Sequence, residues 1–240
     1  MKDKREVRRR DQRARILDAA RRLFAARGSE EVTMSEVASR AGVARATVFN
    51  HFGSKHALVE GITEDVLAYY LAMLENALAE REAPVPALVR SLFDLMGRGI
   101  EEDRRFYRSV FREIAKIRLG LDEGGPGQRA GREAVARLAQ LMTRGQARGE
   151  ITREHRAEDL ASALDSLVNG TITHWLYGDA SESLQQRMRR SADVFLAGAR
   201  EGAQVSATAP PPPLAPARKR SGSRARQRGG APRATSARRS

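Results

Sequence analysis

The sequence predicts an all-α protein, because apolar residues recur at helical spacing through most of the chain. Between about residue 11 and residue 202 the aliphatic and aromatic side chains return every three or four positions, and they do not alternate with polar residues as they would in a strand. Glycine, proline and capping residues divide this stretch into about nine helices. A chain of 240 residues is long enough for one or two domains with a buried core.

Positive charge is concentrated at the two ends of the chain. The formal net charge is +13: residues 1–15 carry eight Lys and Arg against three acidic residues, and residues 217–240 carry nine against none. The stretch between them is close to neutral. Clustered positive charge suits a polyanion such as DNA, but basic tails also serve simply to keep a protein in solution. The charge distribution alone leaves both interpretations open.

Composition excludes several classes of protein. The chain has no cysteine, which excludes disulfides, thiol catalysis and thiolate metal sites. Its charged start is unlike a signal peptide, and no stretch approaches the roughly 18 consecutive apolar residues of a membrane span. We therefore expect a cytoplasmic protein that needs no cofactor and has no membrane partner. The basic residues 1–10 predict a disordered arm, and the Pro- and Arg-rich residues 203–240 predict a disordered basic tail.

Residues 11–56 have the pattern of a helix-turn-helix domain. Helices are predicted over 11–27, 34–40 and 44–51, and the last two are separated by a three-residue turn that contains Gly42. Thr33 and Glu36 form the T-x-x-E capping box at the start of the second helix. In the third helix Val48, Phe49 and Phe52 are predicted to face the core, and the remaining polar positions face outward. Such a helix could enter the major groove of DNA.

These residues resemble the DNA-binding domain of the TetR family of bacterial repressors. The resemblance rests on the run from Thr33 to Leu58, TMSEVASRAGVARATVFNHFGSKHAL, and on the preceding RILDAARRLFAARG that ends at Gly28. It implies a sequence-specific transcriptional regulator of double-stranded DNA, most often a repressor. Two positions depart from the family pattern: Ala44 replaces a capping Ser, and Phe49 replaces a Tyr.

The resemblance also implies a role for each polar residue of the motif. Thr33 would contact a phosphate besides capping its helix, Arg45 and Thr47 would face bases, and Asn50 would add a base or phosphate contact. His51 and Lys55 stand where the family has phosphate-binding residues. Without the motif around it, Arg45 would be read as an ordinary solvated arginine.

Residues 57–202 are predicted to form a helical regulatory and dimerisation domain. A long helix follows the cap residue Ser54, and further helices are predicted over 85–100, 104–119, 129–148, 157–177 and 182–199, the last capped by Ser181, with a loop at 123–127. The resemblance implies a pocket for a small-molecule effector. Larger apolar side chains are available to line it, although such residues are more often plain core: Phe93, Met96, Phe106, Tyr107, Phe111 and Trp175.

The helix over 157–177 predicts a homodimer. Its apolar residues, from Leu160 to Leu176, cover a wide arc, so the helix has to be buried on two sides. In the TetR family the last two helices pair with those of a second subunit, which implies a dimer through 157–177 and 182–199. A buried helix within a monomer is the alternative. A dimer would place two recognition helices about 34–36 Å apart, matching two half-sites of a palindrome.

Other functions have less support in the sequence. An enzyme is disfavoured because His51, His56, His155 and His174 lack metal-site spacing and no nucleophile or phosphate-loop motif is present, so we expect no catalytic and no metal-binding residues. A helical module that binds RNA or protein through charge remains an alternative, and sequence preference for duplex DNA would distinguish the two. An activator, or a regulator without a ligand, is also compatible with the pattern.

Overall fold

The computed structural model describes residues 2–118, 126–178 and 181–200, and within them it contains nine helices and no strand. The all-α prediction is therefore confirmed. In chain order the helices are α1 (Lys2–Arg27), α2 (Met34–Ala41), α3 (Arg45–Phe52), α4 (Lys55–Ala79), α5 (Val85–Glu102), α6 (Arg104–Arg118), α7 (Pro126–Ala147), α8 (Ala157–Tyr177) and α9 (Leu184–Gly198).

Helix α1 begins at Lys2, about nine residues earlier than predicted. The prediction of a disordered arm is wrong for residues 2–10, which are helical. No glycine or proline interrupts residues 2–27, and Glu6 accepts a hydrogen bond from the Arg10 guanidinium one turn later at 2.9 Å. Local helix propensity therefore extends the helix on the N-terminal side of the residues at which apolar periodicity begins.

The other predicted helix ends agree to within a few residues. The predicted cap residue of α9 does not agree. That helix begins at Leu184, and the hydroxyl that accepts the Gln186 N–H is that of Ser183, so the prediction of Ser181 as the cap is wrong. Of the predicted loop over 123–127, residues 123–125 lie outside the described residues. Pro126 and Gly127 form the start of α7, so the prediction of a loop is wrong for these two. The predicted tail over 203–240 lies wholly outside the described residues.

Helices α1 to α3 and the start of α4 share one small core. Ile16 and Phe24 of α1, Val37 of α2 and Val48 of α3 are all almost completely buried there. Gly61 lets α4 approach this core, because a Cβ at that position would lie only 3.1 Å from Cε1 of Phe52. The first half of α4 therefore belongs to the helix-turn-helix domain, and its second half reaches into the larger bundle.

Helices α4 to α9 form the larger bundle, in which α5 packs closely against α9 and α7 against α8. The approach of α5 to α9 depends on Gly97, where a Cβ would lie 2.8 Å from the Cα of Gln185. A backbone atom cannot move aside as a side chain can, so this contact fixes the spacing of the two helices. Within residues 2–118, 126–178 and 181–200, no helix has both the length and the apolar character that a bilayer span requires.

The contact at Gly97 leads to a stability prediction. We expect Gly97→Ala to lower the free energy of unfolding by about 1–3 kcal/mol, because the added methyl group overpacks the α5–α9 interface. Gly99→Ala is the matched control, since its Cβ would meet no atom within 4 Å; it should raise stability by about 0.5–1 kcal/mol through helix propensity. Urea denaturation measures both, and equal effects of the two substitutions would contradict the packing argument.

Candidate nucleic-acid interface

Helix α3 has one buried face and one polar face. Val48 and Phe52 are buried in the core of the helix-turn-helix domain. Arg45 and Asn50 of the same helix are exposed, while Thr47 is half-buried. The buried pair fixes the rotation of the helix about its axis, and with it which of its polar residues face solvent.

Phe49 is not a core residue, and that prediction is wrong. Its side chain is 38% exposed, because it lies on the flank of α3 between the buried and the polar face. The Arg45 guanidinium lies over the Phe49 ring, 5.3 Å from its centroid. Cation–π stacking one turn apart restricts the arginine side chain and holds it along the exposed face.

The start of α2 is fixed by the predicted capping box. The Thr33 hydroxyl accepts a hydrogen bond from the Glu36 N–H at 3.2 Å, and the Thr33 N–H donates to Glu36 Oε2 at 2.8 Å. The same hydroxyl also donates to Glu36 Oε2. Both orphan backbone donors at the helix start are thereby satisfied. Gly42 ends the helix in the left-handed conformation, with φ of 65°.

The carboxylate of Glu36 has a strongly lowered pKa. The backbone N–H of Thr33 makes the largest contribution, followed by hydrogen bonds from Arg27 and the Thr33 hydroxyl, and together they bring the pKa to about 2. Arg27 Nη2 lies 2.6 Å from Glu36 Oε1. This ion pair joins the end of α1 to the first turn of α2 and offsets the negative charge of the cap.

Lys55, at the start of α4, makes a structural contact to the loop between α1 and α2. Its ammonium donates to the backbone carbonyl of Glu30 at 2.9 Å, and it therefore holds the α1–α2 loop against the start of α4. An ammonium has three donors, so this bond leaves capacity for a phosphate. Ser54 caps the same helix end by accepting the Ala57 N–H, as the sequence predicts.

His51 lies in a strongly cationic environment beside α1. It is half-buried, and its pKa is lowered first by that burial and then by the nearby guanidinium groups of Arg9 and Arg13. The imidazole is therefore neutral near pH 7 and presents an N–H donor rather than a second charge. Sequence reasoning missed Arg9 as a neighbour of α3, because it treated residues 1–10 as disordered.

A second candidate site is a cavity of about 140 Å³ inside the larger bundle. Its wall is mostly apolar and aromatic, with contributions from α4 to α8. Asp165, which is 7% exposed, and Asn169 form its polar part, and the Asn169 amide donates to Asp165 Oδ1 at 3.2 Å. Their positions within the apolar stripe of α8 were the signal in the sequence that could have identified them.

Three of the six residues proposed for a pocket line this cavity: Met96, Tyr107 and Phe111. Burial raises the pKa of the Tyr107 hydroxyl, with a smaller contribution from Asp103. The other three do not line it. Phe93 is buried in the core and Phe106 packs edge-on against Tyr107, whereas the Trp175 indole N–H donates to the Glu182 carbonyl at 2.7 Å. No group of three or more His, Asp or Glu suited to a metal ion occurs in the described part of the chain.

The family model described as "Bacterial regulatory proteins, tetR family" matches residues 16–62, which span the core of α1 through the first part of α4. This part of the chain therefore matches the DNA-binding domain of the TetR family. It is 27% identical over 193 residues to the HTH-type transcriptional regulator TtgR of Pseudomonas putida, an alignment that covers 77% of this chain and 89% of TtgR. It is also 27% identical to the HTH-type transcriptional repressor BepR of Brucella suis, with 70% and 81% of the two chains covered.

Solved structures show the same fold. SmeT, described as the repressor of the Stenotrophomonas maltophilia multidrug efflux pump SmeDEF, superposes with a TM-score of 0.62 at 23% identity. The superposition covers 84% of this chain and 98% of SmeT. SmeT has also been solved in complex with triclosan, and that structure superposes with a TM-score of 0.61. The likeness of fold therefore extends beyond the helix-turn-helix domain to the larger helical bundle.

The capping box leads to a pH prediction. Glu36 has a lowered pKa in the folded protein, so its contribution to stability is present above its ordinary pKa of 4.5 and is lost as the pH falls from there toward about 2. Glu36→Gln resembles the protonated side chain. We expect wild type to be more stable than Glu36→Gln in urea denaturation at pH 6, with the difference narrowing by pH 3. A difference that stays constant over that range would contradict this account of the pKa.

Proposed function

We propose that the protein is a sequence-specific DNA-binding transcriptional regulator that acts in the cytoplasm as a repressor. The observation that carries the proposal is the polar face of α3, on which Arg45 is held over Phe49 while Val48 and Phe52 anchor the helix. A short helix anchored in this way can enter the major groove with its first residues against base edges. The names of BepR and SmeT as repressors support the direction of regulation.

The residues of the motif take different parts in this function. Arg45 and Thr47 lie in the first turn of α3, so they are the candidates for contacts to bases, with Asn50 one turn later. Thr33, His51 and Lys55 lie around this helix and are the candidates for phosphate contacts. Since the Thr33 hydroxyl already bonds Glu36, its phosphate contact would come mainly from exposed backbone amides at the start of α2.

A homodimer through α8 and α9 fits the exposed surface of these helices. The Thr171 and Ser191 hydroxyls hydrogen-bond each other at 3.1 Å and tie the two helices together. On the outer side Val194 is 72% exposed, and a Cβ at Gly170 would meet nothing within 4 Å. A face of small and apolar residues that is uncovered within one chain suits close packing against its twofold-related copy.

The cavity suits a small effector with an apolar body and a polar group. About 140 Å³ accommodates only a compact molecule, and its apolar surface would be buried against Tyr107 and Phe111 while Asp165 and Asn169 receive the polar group. Met73 and Met96 also line the wall. Because methionine side chains adapt their shape readily, they are the residues that would yield to a larger ligand.

Helix α6 provides the route from this cavity to the DNA-binding domain. Tyr107 and Phe111 of α6 line the cavity, and on another face Ser109 donates to the hydroxyl of Ser29 at 2.7 Å in a buried contact. Arg105 of the same helix donates to the Ala26 carbonyl at 2.7 Å. A ligand that displaces α6 would therefore move the α1–α2 loop, and with it α2 and α3. This is how effector binding would release DNA.

The DNA-binding proposal is tested with a duplex enriched by the wild-type protein from genomic fragments at physiological salt. We expect Arg45→Ala to reduce the preference for this duplex over a scrambled one about 5- to 150-fold per half-site, which corresponds to 1–3 kcal/mol. Phe49→Ala should act in the same direction but less strongly, because it removes only the support of the arginine. Arg156→Ala, an exposed arginine before α8, is the matched control and should leave the preference unchanged.

The contrary result would be binding that follows charge and salt alone. If the wild-type protein binds enriched and scrambled duplexes equally, α3 does not read sequence, and a basic helical binding module becomes the better description. If Arg45→Ala and Arg156→Ala weaken binding equally, Arg45 acts only through its charge.

The effector proposal is tested by a thermal-shift screen of compact aromatic compounds that carry one polar group. We expect a stabilising compound to weaken binding to the enriched duplex, and Ala134→Phe to abolish both effects because the new ring fills the cavity that Ala134 lines. Duplex binding by Ala134→Phe without compound serves as the control for folding. A compound that still binds this variant would show that the cavity is not its site.

A further inference from the structure

The first turns of α1 form a charged helical extension that has no part in the core. Every side chain from Lys4 to Asp11 is exposed, including Val7, which is the only apolar residue among them. Residues 4–13 contain six basic and two acidic side chains. Packing therefore does not explain why this segment is basic. Mutual repulsion of the arginines disfavours the helical conformation of the segment in isolation.

One face of this extension continues into the surface around α3. Arg5, Arg9 and Arg13 follow one another at four-residue intervals, so they lie in a row about 6 Å apart along the axis. Together with Glu6, Arg10 and His51 they line a single surface pocket between α1 and the end of α3. Arg13 is fixed there, because its guanidinium lies 5.5 Å from the Phe52 ring centroid and 3.5 Å from Glu64 Oε2.

We propose that Arg5 and Arg9 bind backbone phosphates of the same duplex whose bases α3 contacts, and so extend the DNA interface along α1. The proposal rests on the proposed function, since α3 brings the duplex to this surface. Arg13 and His51 connect the two parts of the interface. The extension then acts as a preformed phosphate-binding edge rather than as a flexible arm, and it adds affinity without adding sequence preference.

Charge and position both favour a DNA backbone as the occupant. Burial contributes most to the lowered pKa of His51, and Arg9 and Arg13 lie close enough to lower it further; the cluster of guanidinium groups that lines the pocket attracts a polyanion. The pocket is continuous with the end of α3 at His51, so a duplex seated on α3 runs close to it. An acidic protein would also be attracted by the charge, but residues 4–11 offer it little apolar surface, because Val7 is the only apolar side chain among them.

The proposal is tested by the salt dependence of binding to the enriched duplex and to a scrambled duplex. Each phosphate contact contributes about 0.9 to the slope of log K against log salt concentration. We expect Arg5→Gln/Arg9→Gln to make the slope shallower by about 1.8 per protomer on both duplexes, with an unchanged preference between them. Arg5→Lys/Arg9→Lys should keep the wild-type slope, because lysine retains the charge that the phosphates require.

Arg81→Gln/Arg156→Gln is the matched control. It removes the same charge from two exposed arginines that lie beyond the C-terminal end of α4 and just before α8, and it should leave the slope unchanged. Circular dichroism verifies that each variant is folded.

The possible outcomes separate this proposal from the proposed function. If wild type prefers the enriched duplex and the glutamine variant has the wild-type slope, the phosphate contacts are refuted while the proposed function stands. If the variant loses its sequence preference, the two arginines contact bases and the phosphate assignment is wrong. If wild type itself shows no preference, the proposed function fails and this extension of it fails too. If Arg5→Gln/Arg9→Gln and the control variant change the slope equally, the effect is one of net charge alone, and the proposal is refuted.

Discussion

The burial of Val48 and Phe52 is the interaction on which the candidate DNA interface depends. These side chains anchor α3 in a core shared with Ile16, Phe24 and Val37. Helix α3 has only eight residues, and a helix of that length is not stable alone in water. Its position and rotation are therefore set by packing. The same two contacts decide that Arg45 and Asn50 face solvent and that Phe49 lies at the boundary.

Long basic side chains fix the connections around this core. Arg15 donates to the carbonyl of Ala41 at 2.6 Å, Lys55 to that of Glu30 at 2.9 Å and Arg105 to that of Ala26 at 2.7 Å. Each bond satisfies a carbonyl at a helix end or in a loop, where no intrahelical partner is available. Arginine and lysine thus have two uses in this domain: they satisfy the chain's own carbonyls, and the donors that these bonds leave unused are available for an external anion.

The sequence predicted the fold and the motif because both leave local signals. Apolar periodicity located the helices, and the capping box and Gly42 located the turn of the motif to within a residue. Phe49 was misassigned because its helical spacing from Val48 and Phe52 suits either a core position or a partly exposed position beside the core. Only the tertiary packing distinguishes these two environments. Residues 2–10 were misassigned because apolar periodicity gives no signal for a helical segment whose side chains are exposed, as those of residues 4–10 are.

The cavity was predicted only in part, for a related physical reason. Large aromatic residues on helical faces fill cores as well as line pockets, so composition could not separate Tyr107 and Phe111 from Phe93 and Trp175. The separation depends on how five helices meet, which is a property of tertiary packing. Asp165 was the more specific signal, since a carboxylate within an apolar stripe requires a partner or a function.

The most direct test of the central claim is to select duplexes bound by the wild-type protein from a random-sequence library at physiological salt and to sequence them. The account predicts one enriched motif with twofold symmetry, whose half-sites are centred about 10 base pairs, or a multiple of that distance, apart. Such a motif would show that paired copies of α3 read base sequence. Recovery of duplexes with no shared motif would contradict the account, because a surface that only attracts phosphates selects no sequence.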